Sequence, residues 1–201
     1  TRLSSNTTSG FSITLMTGTE ANATVAHGLS KVPDLVIHKE RVDGGNNWAV
    51  WHKSIANTLY LALDTTAAKA TEATKWNSTS PTTTTYSLGT DTGNNEDDAT
   101  YVTYCWHGVE GYSSFGTYEG SGGGATAPFI NTGSFVGAVI TKSIDSTSGW
   151  QFFSTTVTTT NTRAYMSLQQ TAILSNLSEP FDIYSNGHRS LVAFDPNVAE
   201  T

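Results

Sequence analysis

The sequence is poor in the residues that cross-link or charge most small proteins. It holds one cysteine, Cys105, so no disulfide forms within the chain and paired-thiol metal or redox chemistry is excluded. Charged residues make up 13% of the chain, about half the usual ~25%. The ten Lys and Arg residues form no cluster, and the net charge is −7. A nucleic acid or an anionic membrane surface needs basic density to displace condensed counterions, so neither is an expected partner. No apolar run approaches the ~18 residues of a membrane-spanning helix, and no leader pattern opens the chain. The threonine at position 1 reads as the start of a processed or excised segment.

Small hydroxyl residues fill the gap. With 34 Thr and 22 Ser, 56 of the 201 positions carry one. Threonine is crowded in a helix by its branched Cβ, and serine competes for the helix's own hydrogen bonds. A helical bundle is therefore excluded. Aromatic residues, 10% of the chain, are spread along its length and supply the burial that a disordered polar tract lacks. The composition predicts a folded all-β protein.

The same pattern occurs twice along the chain. Gly10-Phe11-Ser12-Ile13 is echoed by Gly111-Tyr112-Ser113-Ser114, each read as opening a strand. Val36-Ile37-His38-Lys39 matches Val139-Ile140-Thr141-Lys142, and Trp48-Ala49-Val50-Trp51 matches Trp150-Gln151-Phe152-Phe153. Tyr60-Leu61-Ala62-Leu63 then matches Tyr165-Met166-Ser167-Leu168, with Thr66-Ala67 against Thr171-Ala172. Tyr86-Ser87-Leu88-Gly89 matches Tyr184-Ser185-Asn186-Gly187, and 101–106 answers 190–194. Blocks repeated in one order point to an internal duplication: an extension over 1–9 and two tandem units, 10–110 and 111–201. Turn signals every ~8–12 residues make each unit sandwich-like or jelly-roll-like.

Leu59–Leu63 and Tyr101–Trp106 read as strands, being β-branched or aromatic runs bounded by turn residues. Asp43-Gly44-Gly45 and Ser148-Gly149 supply hairpin turns, and Gly122–Gly124 reads as a flexible connector inside the second unit. The segment Thr65–Lys75 is balanced between a short helix and a loop.

The chemistry-bearing residues are sparse. No two of the five histidines have the short spacing of a zinc site, so they read as hydrogen-bonded strand and turn residues. The acidic run Asp91–Asp98 has the oxygens of a calcium loop but not the EF-hand order, and reads as a solvated hairpin between Tyr86–Thr90 and Tyr101–Trp106. No metal or cofactor is expected. Glu110, Glu119, Asp64 and Asp182 lie beside strands without pairing as glycosidase acids do, and no nucleophile elbow or phosphate loop is present. Tryptophan and tyrosine residues, among them Trp48, Trp51, Trp106, Trp150, Tyr101, Tyr104, Tyr112 and Tyr118, have the flat apolar faces that stack on sugars. Trp76 has no counterpart in the second copy and is the foremost candidate for an exposed aromatic.

Several of these blocks together resemble a domain found in tail and fibre proteins of marine bacteriophages. They are Phe11-Ser12-Ile13, Val25-Ala26-His27-Gly28-Leu29, Val32-Pro33-Asp34-Leu35-Val36-Ile37, Trp76-Asn77 with Ser80-Pro81, Tyr101–Trp106 and Gly111–Tyr118. The resemblance implies a place on the virion exterior among other virion proteins, a homo-oligomer of trimeric form, and no catalytic residues. The expected function is a non-enzymatic structural protein that binds the host surface, a surface carbohydrate being the ligand class. The alternatives are a capsid decoration or head-fibre protein and a carbohydrate-active enzyme. Contacts are expected on loops: Thr71–Ser80 with Trp76; Asp91–Asp98 with Asp91, Asn94, Asn95, Glu96, Asp97 and Asp98; and Gly120–Thr126 with Ser121.

Overall fold

The computed structural model describes residues 1–42, 45–121, 127–155, 164–168, 175–176 and 181–190. The all-β expectation holds: the one α-helix among these residues is a single turn, α1 (Thr92–Asn95). Two compact units are present, Thr1–Ala62 with Lys69–Gly116, and Leu63–Ala68 with Thr117–Thr201.

The first unit is built on a seven-stranded antiparallel sheet. Its strands are, in spatial order, β1 (Arg2–Asn6), β2 (Phe11–Thr17), β9 (Thr100–Trp106), β4 (Leu35–Glu40), β5 (Ala49–His52), β6 (Leu59–Ala62) and β7 (Ala70–Thr71). A two-stranded ribbon, β3 (Ala23–Ala26) with β8 (Thr85–Leu88), accompanies it. Residues 1–9 are thus no mere extension, because Arg2–Asn6 pairs along its whole length with Phe11–Leu15.

Alternation decides which side chains are inside, since successive residues of a strand face opposite ways. Ser12, Thr14 and Met16 on β2 stand beside Cys105, Thr103 and Tyr101 on β9, and these beside Val36, His38 and Glu40 on β4; all nine are buried. The ribbon lies over this face. Thr14 Oγ1 donates to Ala26 O at 3.3 Å, and the Tyr86 hydroxyl lies 2.6 Å from Thr103 Oγ1.

One expectation fails here, and one left even is decided. Tyr86–Thr90 and Tyr101–Trp106 do not form a hairpin: β8 pairs with β3, and β9 lies between β2 and β4. A strand's own residues mark its faces but not its neighbour. Thr65–Lys75 holds no helix; its centre is β7, paired with Leu59 and Tyr60, followed by turns. Four threonines in that stretch favour extended backbone over the helix that Ala and Lys favour.

The second unit has a three-stranded sheet, β10 (Phe129–Asn131), β16 (Gly187–Ser190) and β15 (Phe181–Tyr184), and a four-stranded meander, β11 (Ala138–Thr141), β12 (Gln151–Ser154), β13 (Ala164–Ser167) and β14 (Ser175–Asn176). Ala127, Val136, Trp150 and Phe153 are its buried apolar residues among those described.

This meander keeps the register of β4-β5-β6-β7. Val36 faces Trp51 and Ile37 faces Val50; at the matched positions Val139 faces Phe153 and Ile140 faces Phe152. Ala49 faces Ala62 and Val50 faces Leu61, as Gln151 faces Ser167 and Phe152 faces Met166. Tyr60 faces Ala70, as Tyr165 faces Ser175. Even the bond closing the first pair recurs: Lys53 N–H to Asp34 O at 2.9 Å, and Thr155 N–H to Gly137 O at 2.9 Å.

Other matched blocks differ in structure. Gly111–Ser114 is a turn held by Ser113 N–H on Val109 O at 2.8 Å, not the start of a strand, and the first unit runs on to Gly116. Tyr86–Leu88 is strand, whereas Tyr184–Gly187 is the corner between β15 and β16. Residues 43–44, 122–126, 156–162, 171–172 and 191–194, which carry further parts of the sequence reading, lie outside the described residues.

Candidate functional site

The buried face of the large sheet carries polar side chains whose partners fix the direction of a hydrogen-bond chain. Asn94 O can only accept, so His38 Nε2, 2.8 Å away, donates to it. Neutral His38 then accepts at Nδ1 from Thr103 Oγ1–H at 2.7 Å, and Thr103 in turn accepts from the Tyr86 hydroxyl. Burial pushes the His38 imidazolium down to about 4 from an ordinary 6.5, which keeps the ring neutral. Burial also raises the Tyr86 phenol, so it stays a donor. The ring of Tyr101 stacks on His38 at 4.8 Å, and Trp76 meets it edge-on at 6.5 Å.

This chain accounts for much of the segment expected to be a solvated binding loop. Asn95 is fully buried: its Nδ2 donates to Ala21 O at 2.7 Å and Gly89 O at 2.8 Å, and its Oδ1 accepts from Thr19 N–H at 3.0 Å. Asn94 is buried as well, its carbonyl taken by His38. Asp91 pairs with Lys75 at 2.7 Å, both side chains mostly covered, and its carbonyl starts α1 by accepting from Asn94 and Asn95. Glu96 N–H donates to the Tyr101 hydroxyl at 2.9 Å while its side chain is exposed. Only Glu96, Asp97 and Asp98 of the candidate acids and amides in this loop present exposed side chains. The amides were misread because the sequence does not show that His38 and Thr19 approach them.

Trp76 is corrected in the same way. It is 3% exposed, lining a narrow space with Val36, Trp51, Pro81 and Tyr86, so it is a core residue and not a surface aromatic. Ser121 is exposed. Glu110, Glu119 and Asp64 are exposed, and the side chain of Asp182 is outside those described. His27 lies between Thr82 O at 3.1 Å and Leu29 N–H at 3.1 Å, His52 Nδ1 accepts from Ser54 N–H at 3.2 Å, and His107 Nδ1 lies 2.9 Å from Gly108 O. These are the strand and turn partners expected of them.

The opposite face of the large sheet, buried at Val50 and Leu61, gathers partly exposed aromatic rings on its other strands. Tyr104 and Trp106 alternate with the buried residues of β9 and so point away from the ribbon, beside Phe11 of β2. Phe11 and Tyr104 are within 8° of parallel at 6.5 Å, Trp106 lies 6.1 Å from Tyr104 at 24°, and Trp48 lies 6.4 Å from Tyr104 at 14°. All four are partly exposed. The register places Asn6 and Ser4 of the exposed strand β1 on this face beside Phe11 and Ile13. Phe11 and Trp106, 4.9 Å apart, are tilted 32° to each other, so the row offers apolar rings ordered about Tyr104 with hydrogen-bonding groups along one margin. The sequence marks three of these rings, but not Phe11, nor that four strand and loop positions converge; the signal is the period-two spacing of Tyr104 and Trp106.

No curated protein and no solved structure matches the chain at significant similarity. One family model does, over residues 1–194, and the chain belongs to that family, described as a domain of unknown function (DUF7483).

Proposed function

We propose that this protein is a non-enzymatic structural component of a phage particle exterior and that its first unit holds a host-surface carbohydrate on the aromatic row. The observation that carries the reading is the gathering of four partly exposed rings, Phe11, Trp48, Tyr104 and Trp106, on one sheet face, with Phe11, Trp48 and Trp106 each within 8–24° of parallel to Tyr104 and Phe11 tilted 32° to Trp106. Pyranose rings present flat C–H faces ringed by hydroxyls. Aromatic plates take the former, and Asn6 and Ser4 are placed for the latter. Glu96, Asp97 and Asp98 of the first unit and Ser121 of the second are exposed loop residues, each a contact candidate of its own unit apart from the aromatic row. The resemblance in motif order supports the virion setting, with other virion proteins as partners and a homo-oligomer, trimeric in that setting.

The two meanders descend from one duplicated module. Three successive strand pairs in one register, with the closing bond Lys53 to Asp34 repeated as Thr155 to Gly137, support this reading.

Gold-labelled antibody against the chain, imaged on whole particles, tests the setting. Label at the tail, with purified protein competing against particle adsorption, is expected. Regular label over the shell without competition identifies a decoration protein and overturns the adhesive reading.

A further inference from the structure

The sheet face that carries the aromatic row also gathers cations. Arg2 of β1 stands opposite Leu15, Leu15 opposite Val102, and Val102 opposite Lys39 of β4, so one rung across four strands begins and ends on a base. Directly opposed residues share a face, and this one is the face of Tyr104, two residues and about 7 Å further along β9. Arg41 continues the alternation of Lys39 by one step, its N–H bonded to Thr100 O at 2.8 Å. Arg2 and Arg41 are exposed and Lys39 is half-buried. Lys39 Nζ spends one N–H on Asn46 O at 2.6 Å and keeps two, and among the described residues no carboxylate pairs with any of the three bases.

No acid of β1, β2, β9 or β4 lies on this side. Glu40 alternates onto the covered face and is buried there. Asp34, just before β4, is held by Lys53 at 3.0 Å and by Gly108 N–H. Glu96, Asp97 and Asp98 belong to a loop that lies on the covered side, where Asn94 O and Glu96 N–H meet His38 and Tyr101. The chain as a whole carries −7, so a basic face runs against its composition.

We propose that the saccharide held on the aromatic row is an acidic one, its carboxylate or sulfate groups lying over Arg2, Lys39 and Arg41 while a sugar ring stacks on Tyr104. This rests on the carbohydrate reading and names the class of saccharide. Stacking is indifferent to the charge of the sugar, so the bases set the choice. A guanidinium fork matches carboxylate and sulfate oxygens alike, and Lys39 adds a point charge between the two arginines and the rings. A protein otherwise acidic repels an anionic polymer everywhere but here, which steers it onto the row.

Binding to immobilised polygalacturonate and its neutral methyl ester, and to dextran sulfate and neutral dextran, tests it and separates carboxylate from sulfate. At least one polyanion is expected to bind about tenfold more tightly than its neutral partner at low salt, the difference vanishing near 1 M, where screening shortens to ~3 Å. Arg2→Gln, Lys39→Gln and Arg41→Gln each weaken the polyanion about two- to fivefold and leave the neutral polymer unchanged. Should Lys39→Gln not fold, the two arginine variants decide. Neutral polymers bound as tightly as the polyanions, neither polyanion bound, or arginine variants that bind as wild type overturn the proposal. Oligothymidylate bound more tightly than either polyanion overturns it in favour of a nucleic acid. Neutral glycan that binds and is lost in Tyr104→Ala leaves the carbohydrate reading standing without the acidic preference; polyanion binding unchanged in Tyr104→Ala removes the row itself.

Discussion

Tyr86 and Thr103 meet hydroxyl to hydroxyl at 2.6 Å, across the interior between the β3–β8 ribbon and the seven-stranded sheet. Thr103 is also the donor to His38, so one side chain ties two sheets and, through His38, the α1 turn. Replacing Thr103 with Val keeps its shape and removes both bonds. Each buried group left unpaired costs about 1–3 kcal/mol, so Thr103→Val, which strands two, is expected to lose roughly 2–6 kcal/mol in urea unfolding. Tyr86→Phe, which leaves Thr103 able to serve His38, loses about 1 kcal/mol.

Acid acts on the same chain of bonds. The unfolded His38 takes a proton near its ordinary 6.5, and the folded one resists until about 4. Folding is thus opposed as the pH falls from about 6.5 to about 4, with no His38 contribution to the slope above that window. The loss is of the order of 3 kcal/mol. Burial moves His27 in the same direction. Urea midpoints measured across this range should fall steeply in the wild type and less in His38→Gln; equal slopes would remove His38 from the account.

The acidic loop separates into supporting and solvent-facing residues. Asn95→Ala strips the bonds to Ala21, Gly89 and Thr19, and is expected to cost about 2–4 kcal/mol. Asp97→Asn and Asp98→Asn stay within about 0.5 kcal/mol of wild type, as exposed substitutions do. Thermal unfolding of the three variants checks the order.

Strand faces were legible where alternation is strong. In β9 the row Tyr101, Thr103, Cys105 against Tyr104, Trp106 divides the sheet into a covered and an open side, and the matched blocks around Val36 and Val139 foretold a shared register. Partners were not legible. The polarity of Asn94 and Asn95 suggested solvent, but the Asn95 side chain satisfies backbone groups brought from distant loops, the Asn94 carbonyl accepts from the His38 ring, and Trp76 is covered by Pro81 and Tyr86 from residues beyond its own turn. The aromatic row needed three elements to meet. Its members were visible one at a time, but their convergence depends on β9 entering between β2 and β4.

Binding of the purified chain to a panel of host-derived surface polysaccharides, beside Tyr104→Ala and Trp106→Ala, tests the central claim most directly. Stacking of one aromatic ring is worth about 0.5–1.5 kcal/mol beyond area burial, so each variant is expected to bind at least about threefold more weakly while folding as wild type. Wild-type protein that binds none of the panel, or variants that bind as tightly as wild type, contradicts it.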